Sequence, residues 1–114
     1  MRNEDNIMEP ALAKLLDSIV ADYYRWTKRS WEANGYDMDG FEHRISKFRH
    51  GLEVKKGRKF IKILTHRSVW GFVNLTHDKF ENGDILKAAG YNAPALNFAR
   101  GNIFEDYSVA WTGA

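Results

Sequence analysis

Apolar residues recur every three or four positions through the first third of the chain. Met8, Leu12, Leu15, Ile19, Tyr23 and Trp26 mark one stripe, and Leu16, Val20, Tyr24, Thr27 and Trp31 widen it. Residues three and four apart lie one above another on a helix face, so this spacing predicts a long helix over 7–33. Asn6 and Glu9 have the spacing of a capping box, Pro10 falls near the first turn, and Asn34 with Gly35 supplies a stop. A face this broad needs cover, and packing within the same domain is the expected cover.

The period changes after the polar segment Tyr36 to Gly40. From Phe41 the reading is extended: FEHRISKFRHGLEV forms one bent strand or two short ones interrupted at Gly51. A turn at Lys56 and Gly57 leads into Lys59 to Thr65, and a second at His66 and Arg67 leads into Ser68 to Leu75. Together they predict an antiparallel meander over 41–75. Alternation then assigns faces, with Ile61 and Ile63 opposing Arg58, Phe60 and Lys62, and Val69, Val73 and Leu75 opposing Trp70 and Phe72. If the aliphatic set meets the helix, the other side displays Phe60, Trp70 and Phe72 beside Arg58 and Lys62. The competing arrangement buries both faces and makes those rings core.

After the loop THDKFENG, Asp84 and Asn92 stand where they would cap two short helices within 84–101, with Pro94 entering the second and Gly90 and Gly101 as stops. Alternation of Tyr107, Val109 and Trp111 predicts a final strand over 106–112. The expected fold is therefore α+β, one domain spanning 1–114. A long N-terminal helix packs on an antiparallel sheet of about four strands, and two short helices precede the last strand.

Charge sharpens this picture. Residues 1–43 carry five basic and nine acidic side chains, and residues 68–114 carry three and five. Between them, nine basic groups stand against Glu53 alone: Arg44, Lys47, Arg49, Lys55, Lys56, Arg58, Lys59, Lys62 and Arg67. Such a block raises a positive potential suited to an anionic partner, whereas lysines that merely guard strand edges are the plainer explanation. The chain has no cysteine, which removes disulfides, thiolate metal ligands and thiol nucleophiles and makes a reducing compartment the simpler expectation. The acidic start MRNEDN is unlike a signal peptide, and no apolar run reaches the roughly 20 residues of a membrane span, so a cytosolic protein with no membrane partner is expected.

Chemical motifs are sparse. Asp37, Asp39 and Gly40 echo a calcium loop without its further acidic ligands, so no metal site is assigned. His43, His50, His66 and His77 lack metalloprotease spacing; His77 beside Asp78 is half of a general-base arrangement, and Arg100 could hold an anion or bridge to Glu105. No nucleophile, base and oxyanion donor occur together, so no catalytic residue or cofactor is assigned and a non-enzymatic protein is expected. WGFVNL matches part of the ribonucleoprotein motif, but Ser68 and Val69 replace its basic-glycine pair, and an aromatic and β-branched run is what any buried strand favours.

SVWGFV, GDILKAAGYNAPALNFARGNIF and the terminal YSVAWTG resemble a small family of uncharacterised proteins from tailed bacteriophages, over about half the chain. That resemblance implies a viral accessory product in host bacterial cytoplasm and transfers no functional residue. Two functions follow as expectations. The first is binding of single-stranded DNA or RNA, with Arg44, Lys47, Arg49, Lys55, Lys56, Arg58, Lys59 and Lys62 on phosphates and Phe60, Trp70 and Phe72 stacking on bases. The alternative is a protein-binding module, a host-factor inhibitor or self-assembling minor virion component, using helix 8–31 with Tyr24 or Trp31 exposed.

Overall fold

The computed structural model describes residues 3–35 and 37–114, with side chains described from Met8 onward except at Tyr36. Helix α1 runs Asn3–Asn34, and α2 runs Met38–His50. Strands β1 (Leu52–Lys56), β2 (Phe60–Thr65), β3 (Ser68–Asn74), β4 (Asp84–Leu86) and β7 (Gly101–Asn102) form one antiparallel sheet in the order β1-β2-β3-β4-β7. Strands β5 (Ala88–Gly90) and β6 (Ala93–Pro94) make a separate small hairpin. No helix among the described residues is long and apolar enough to cross a membrane.

The expected long helix forms, but it starts at Asn3, so Asn6 lies inside it rather than capping it; the side chain of Asn6 lies outside the described residues, as does Tyr36 of the expected linker. Met8, Leu12, Leu15, Ile19, Val20 and Tyr23 are buried and pack on Ile61, Ile63, Trp70, Val73, Ile85 and Ile103 of the sheet side. The stripe drifts at its end: Thr27 is buried, while Trp26, expected in the core, is 64% exposed.

Residues 41–50, expected as strand, are helical. Phe41, Ile45 and Phe48 fall at i, i+4 and i+7, and Asp37 closes the N-terminus by accepting a hydrogen bond from the Gly40 N–H at 2.8 Å. Lys47, Arg49 and His50 occupy the last turn, where cations complement the carbonyl end. Phe48 stacks on Tyr23 at 3.9 Å between ring centres, and Trp31 and Tyr24 close on Phe41. Burying two phenylalanines against α1 outweighs the β propensity of isolated rings.

The two hairpins after Gly51 form where expected. His66 and Arg67 both take positive φ (48° and 73°), the geometry of a two-residue turn whose twist matches its strands. Register pairs Ile63 with Gly71 and Leu64 with Val69, leaving Trp70 as the extra residue of a bulge. That one residue turns the Trp70 ring onto the helix side with Ile61 and Ile63, against the strict alternation expected for it. Trp70 is 2% exposed, its indole N–H donates to the Ala110 carbonyl at 2.7 Å, and its own carbonyl accepts the Ala114 N–H at 3.0 Å.

The two helices expected in 84–101 do not form. Ile85 and Leu86 instead pair with Val73 and Phe72, extending the sheet, and Asp84 accepts hydrogen bonds from the Glu81 N–H and the Asn102 amide. Segment 106–112 is not a strand; it carries one bridge, Ala110 to Gly113, and lies along α1, where the Trp111 N–H donates to Asp22 at 2.9 Å. Asn74, fully buried, holds the preceding loop through its amide bonds to the His77 and Glu81 carbonyls and the His77 N–H. A buried amide with each of these partners is stabilising; with any one missing it would be costly.

Candidate functional site

The β1–β2 hairpin presents its two faces very differently. On the helix side, Ile61 and Ile63 are core, and Lys56 reaches Glu9 of α1 at 2.8 Å. On the other side, Lys55 stands directly opposite Lys62 across the ladder, and Lys62 in turn opposes Phe72. Like charges directly opposite on an antiparallel pair are destabilising, so the fold gains nothing from Lys55 and Lys62 being neighbours. Edge protection accounts for lysines on β1, which is the outer strand, but not for Lys62, which lies on the second strand in.

A recess of about 250 Å³ opens at this end of the hairpin, lined by Lys55, Lys56, Arg58, Lys59, Lys62 and the rings of Phe60 and Phe72, with Asn92 across from them. Phe60 is half-buried and meets Phe72 edge-on at 6.2 Å; its other neighbour is the His77 ring, stacked at 5.7 Å. The turn of the β5–β6 hairpin forms the far wall. Asn92 accepts a hydrogen bond from the Lys62 ammonium at 2.8 Å, and the Tyr91 ring lies 4.1 Å from the same ammonium. Lys55, Arg58, Lys59 and Lys62 therefore border a floor of aromatic carbon, while Lys56, at the edge of the recess, is turned to the helix side and pairs with Glu9.

The expected site residues separate into three groups. Lys55, Lys56, Arg58, Lys59, Phe60 and Lys62 come together at the recess. Arg44, Lys47 and Arg49 belong to α2 rather than to a β surface, and two of them are engaged: Arg44 Nε donates to the Tyr23 hydroxyl at 3.1 Å and Arg49 pairs with Asp17 at 3.0 Å. Trp70 and Phe72 are the correction. At 2% and 3% exposure neither offers a face for stacking, because the bulge turns Trp70 into the α1 core and the β4–β5 side closes over Phe72. The exposed ring beside the cations is Tyr91, 53% accessible, which the expectation of a second short helix hid. Its signal in the sequence was the GYN triplet, a turn as readily as a helix boundary.

Other singled-out residues are placed simply. His77 lies 3.9 Å from Asp78 in the loop after β3, and the Arg100 guanidinium covers the Phe98 ring at 4.2 Å. Among the described residues no group of three or more His, Asp or Glu is arranged to hold a metal ion.

The fold and site together define a helix-backed five-stranded antiparallel sheet carrying a cationic hairpin recess. The chain belongs to DUF7717, a family of unknown function, whose model matches residues 2–113. No curated protein and no solved structure matches it.

Proposed function

We propose that this chain is a small non-enzymatic accessory protein that binds single-stranded nucleic acid through the β1–β2 hairpin recess. The observation that carries the reading is the Lys55–Lys62 cross-strand pair, two like charges directly opposite each other and set beside Arg58 and Lys59. Phosphates would sit among Lys55, Arg58, Lys59 and Lys62, and the exposed Tyr91 ring would take a base, in place of the rings first expected to stack. An unpaired strand suits the recess better than a duplex, because stacking on Tyr91 needs a free base face.

Salt dependence tests it. With about five phosphates neutralised on a single strand, log affinity should fall against log salt with a slope of about −3.5, so affinity drops roughly a hundredfold between 50 and 200 mM. Fluorescence anisotropy of a labelled single-stranded 12-mer measures this. Binding that ignores salt, or no binding at low salt, removes the proposal.

A further inference from the structure

A second concavity lies between the C-terminal half of α1, the β2–β3 turn and the terminal segment, and nothing in the hairpin reading uses it. It measures about 650 Å³, inside the roughly 300–1,000 Å³ range of small-ligand sites. Its walls are the rings of Tyr23, Trp26, Trp31, Phe48 and Trp111. Hydroxyls from Thr27, Ser30, Thr65 and Ser68 punctuate them, His66 and Arg44 supply the titratable groups, and among the described residues no carboxylate lines the cleft. We infer that this cleft binds a planar heteroaromatic ring bearing a phosphate, the chemistry shared by a free mononucleotide and by an unpaired nucleotide in a strand.

Three observations carry this, and none depends on the hairpin. Trp26 is 64% exposed at the cleft mouth, with its ring 6.4 Å from Trp111 and tilted by 69°, so one indole face is open to a flat partner. Burying such a face against a second ring system contributes beyond simple area. The Trp111 indole N–H is enclosed and has no hydrogen-bond partner among the described residues. A buried donor without an acceptor is costly, and a ring nitrogen or carbonyl brought to this wall would relieve that cost after a small adjustment of the indole.

Arg44 supplies the anion contact. Its Nε is committed to the Tyr23 hydroxyl, which fixes the plane of the guanidinium, and no carboxylate among the described residues pairs with it. The same side chain borders two adjoining recesses, one shared with Lys47 and His66 and the other with Asp37, whose carboxylate accepts the Gly40 N–H. On the side shared with Lys47 its remaining N–H groups lie next to the aromatic walls, where a planar fork can grip phosphate oxygens in pairs.

NMR of the full chain, following the tryptophan indole N–H signals, tests the inference. The probes are adenosine and uridine 5′-monophosphates, adenosine, inorganic phosphate and a single-stranded 12-mer. Either mononucleotide should shift the Trp26 and Trp111 signals, with the Trp111 proton moving downfield as it gains an acceptor. Arg44→Gln should weaken the mononucleotides at least tenfold while leaving adenosine unchanged, and Trp26→Ala should weaken both. Larger shifts with the 12-mer than with mononucleotides would identify the natural source as an unpaired nucleotide of a strand; the reverse would identify a free nucleotide.

Three results overturn it: no indole shift at millimolar mononucleotide, equal shifts with inorganic phosphate alone, or a dimer that Trp26→Glu converts to monomer, which would make the cleft a contact between copies. Trp26 and Arg44 are both exposed, so these variants leave the core intact. Because Lys55→Glu with Lys59→Glu alters only the hairpin and the indole signals report on the cleft, either site can fail without the other.

Discussion

Trp70→Ala is expected to remove about 3–5 kcal/mol of folding stability, the usual cost of deleting a buried large aromatic side chain. The ring is 2% exposed, packed among α1 and sheet side chains, and it fastens the C-terminal segment through the Ala110 carbonyl. Small domains have only about 5–15 kcal/mol in hand, so the loss should appear as a fall in Tm of about 10–20 °C in a thermal melt followed by circular dichroism. Trp70→Phe keeps most of the packing and orphans the Ala110 carbonyl, which should cost about 1–3 kcal/mol. The folded Trp70→Phe protein should bind single strands as the parent does. A binding defect without a stability defect would mean that the ring faces the ligand and that the bulge is misplaced.

The double variant Lys55→Glu with Lys59→Glu should behave in the opposite way. Removing two of about five phosphate contacts flattens the salt slope from about −3.5 to about −2.1, and extrapolated to 1 M salt this amounts to about a seventyfold weaker complex at about 50 mM. Stability should hold or rise. Lys55 and Lys62 face each other across the ladder, so turning that repulsion into attraction contributes about 0.2–1 kcal/mol. Binding and stability moving in opposite directions is the signature of charges kept for a partner. If the lysines merely protect the edge of β1, the variant should leave nucleic-acid affinity unchanged and make the protein more prone to associate.

What was legible in the chain followed from strong periodicity. The α1 stripe and the paired turns at Gly57 and His66–Arg67 stated their own structures, since each rests on local spacing or turn chemistry. The misread segments have specific causes. Residues 41–50 carry the i, i+4, i+7 spacing of Phe41, Ile45 and Phe48, but so many charges lie between them that the helical face is narrow, and strand-like rings drew the reading away. In GDILKAAG the alanines favour helix locally, whereas pairing of Ile85 and Leu86 with β3 completes the sheet. Only a long-range contact decides that, and local propensity does not contain it.

The site was legible in part for the same reason. Clustering of Lys55, Lys56, Arg58, Lys59 and Lys62 follows from a hairpin, which the turn chemistry predicts. The faces of Phe60 and Lys62 followed from alternation, and so did that of Ile61. Trp70 was lost to one extra residue in the ladder, since a bulge reverses the face of the residue it inserts and has no marker in this sequence beyond Gly71. Gly71 is itself required by packing: a Cβ there would lie 2.9 Å from the Leu86 carbonyl and 2.8 Å from the Ala114 Cβ. Tyr91 and the aromatic cleft depend on how the β5–β6 turn and the terminal segment fold back, which no local pattern specifies.

The central claim is that the cationic face of the β1–β2 hairpin is where an anionic strand is received, and amide NMR during titration with an unlabelled single-stranded 12-mer tests it most directly. Salt-sensitive shifts should concentrate at residues 55–62 and at 91–92, with the buried amides of Val73 and Ile85 unmoved. Saturable binding whose shifts avoid the hairpin would contradict the account, whatever the affinity.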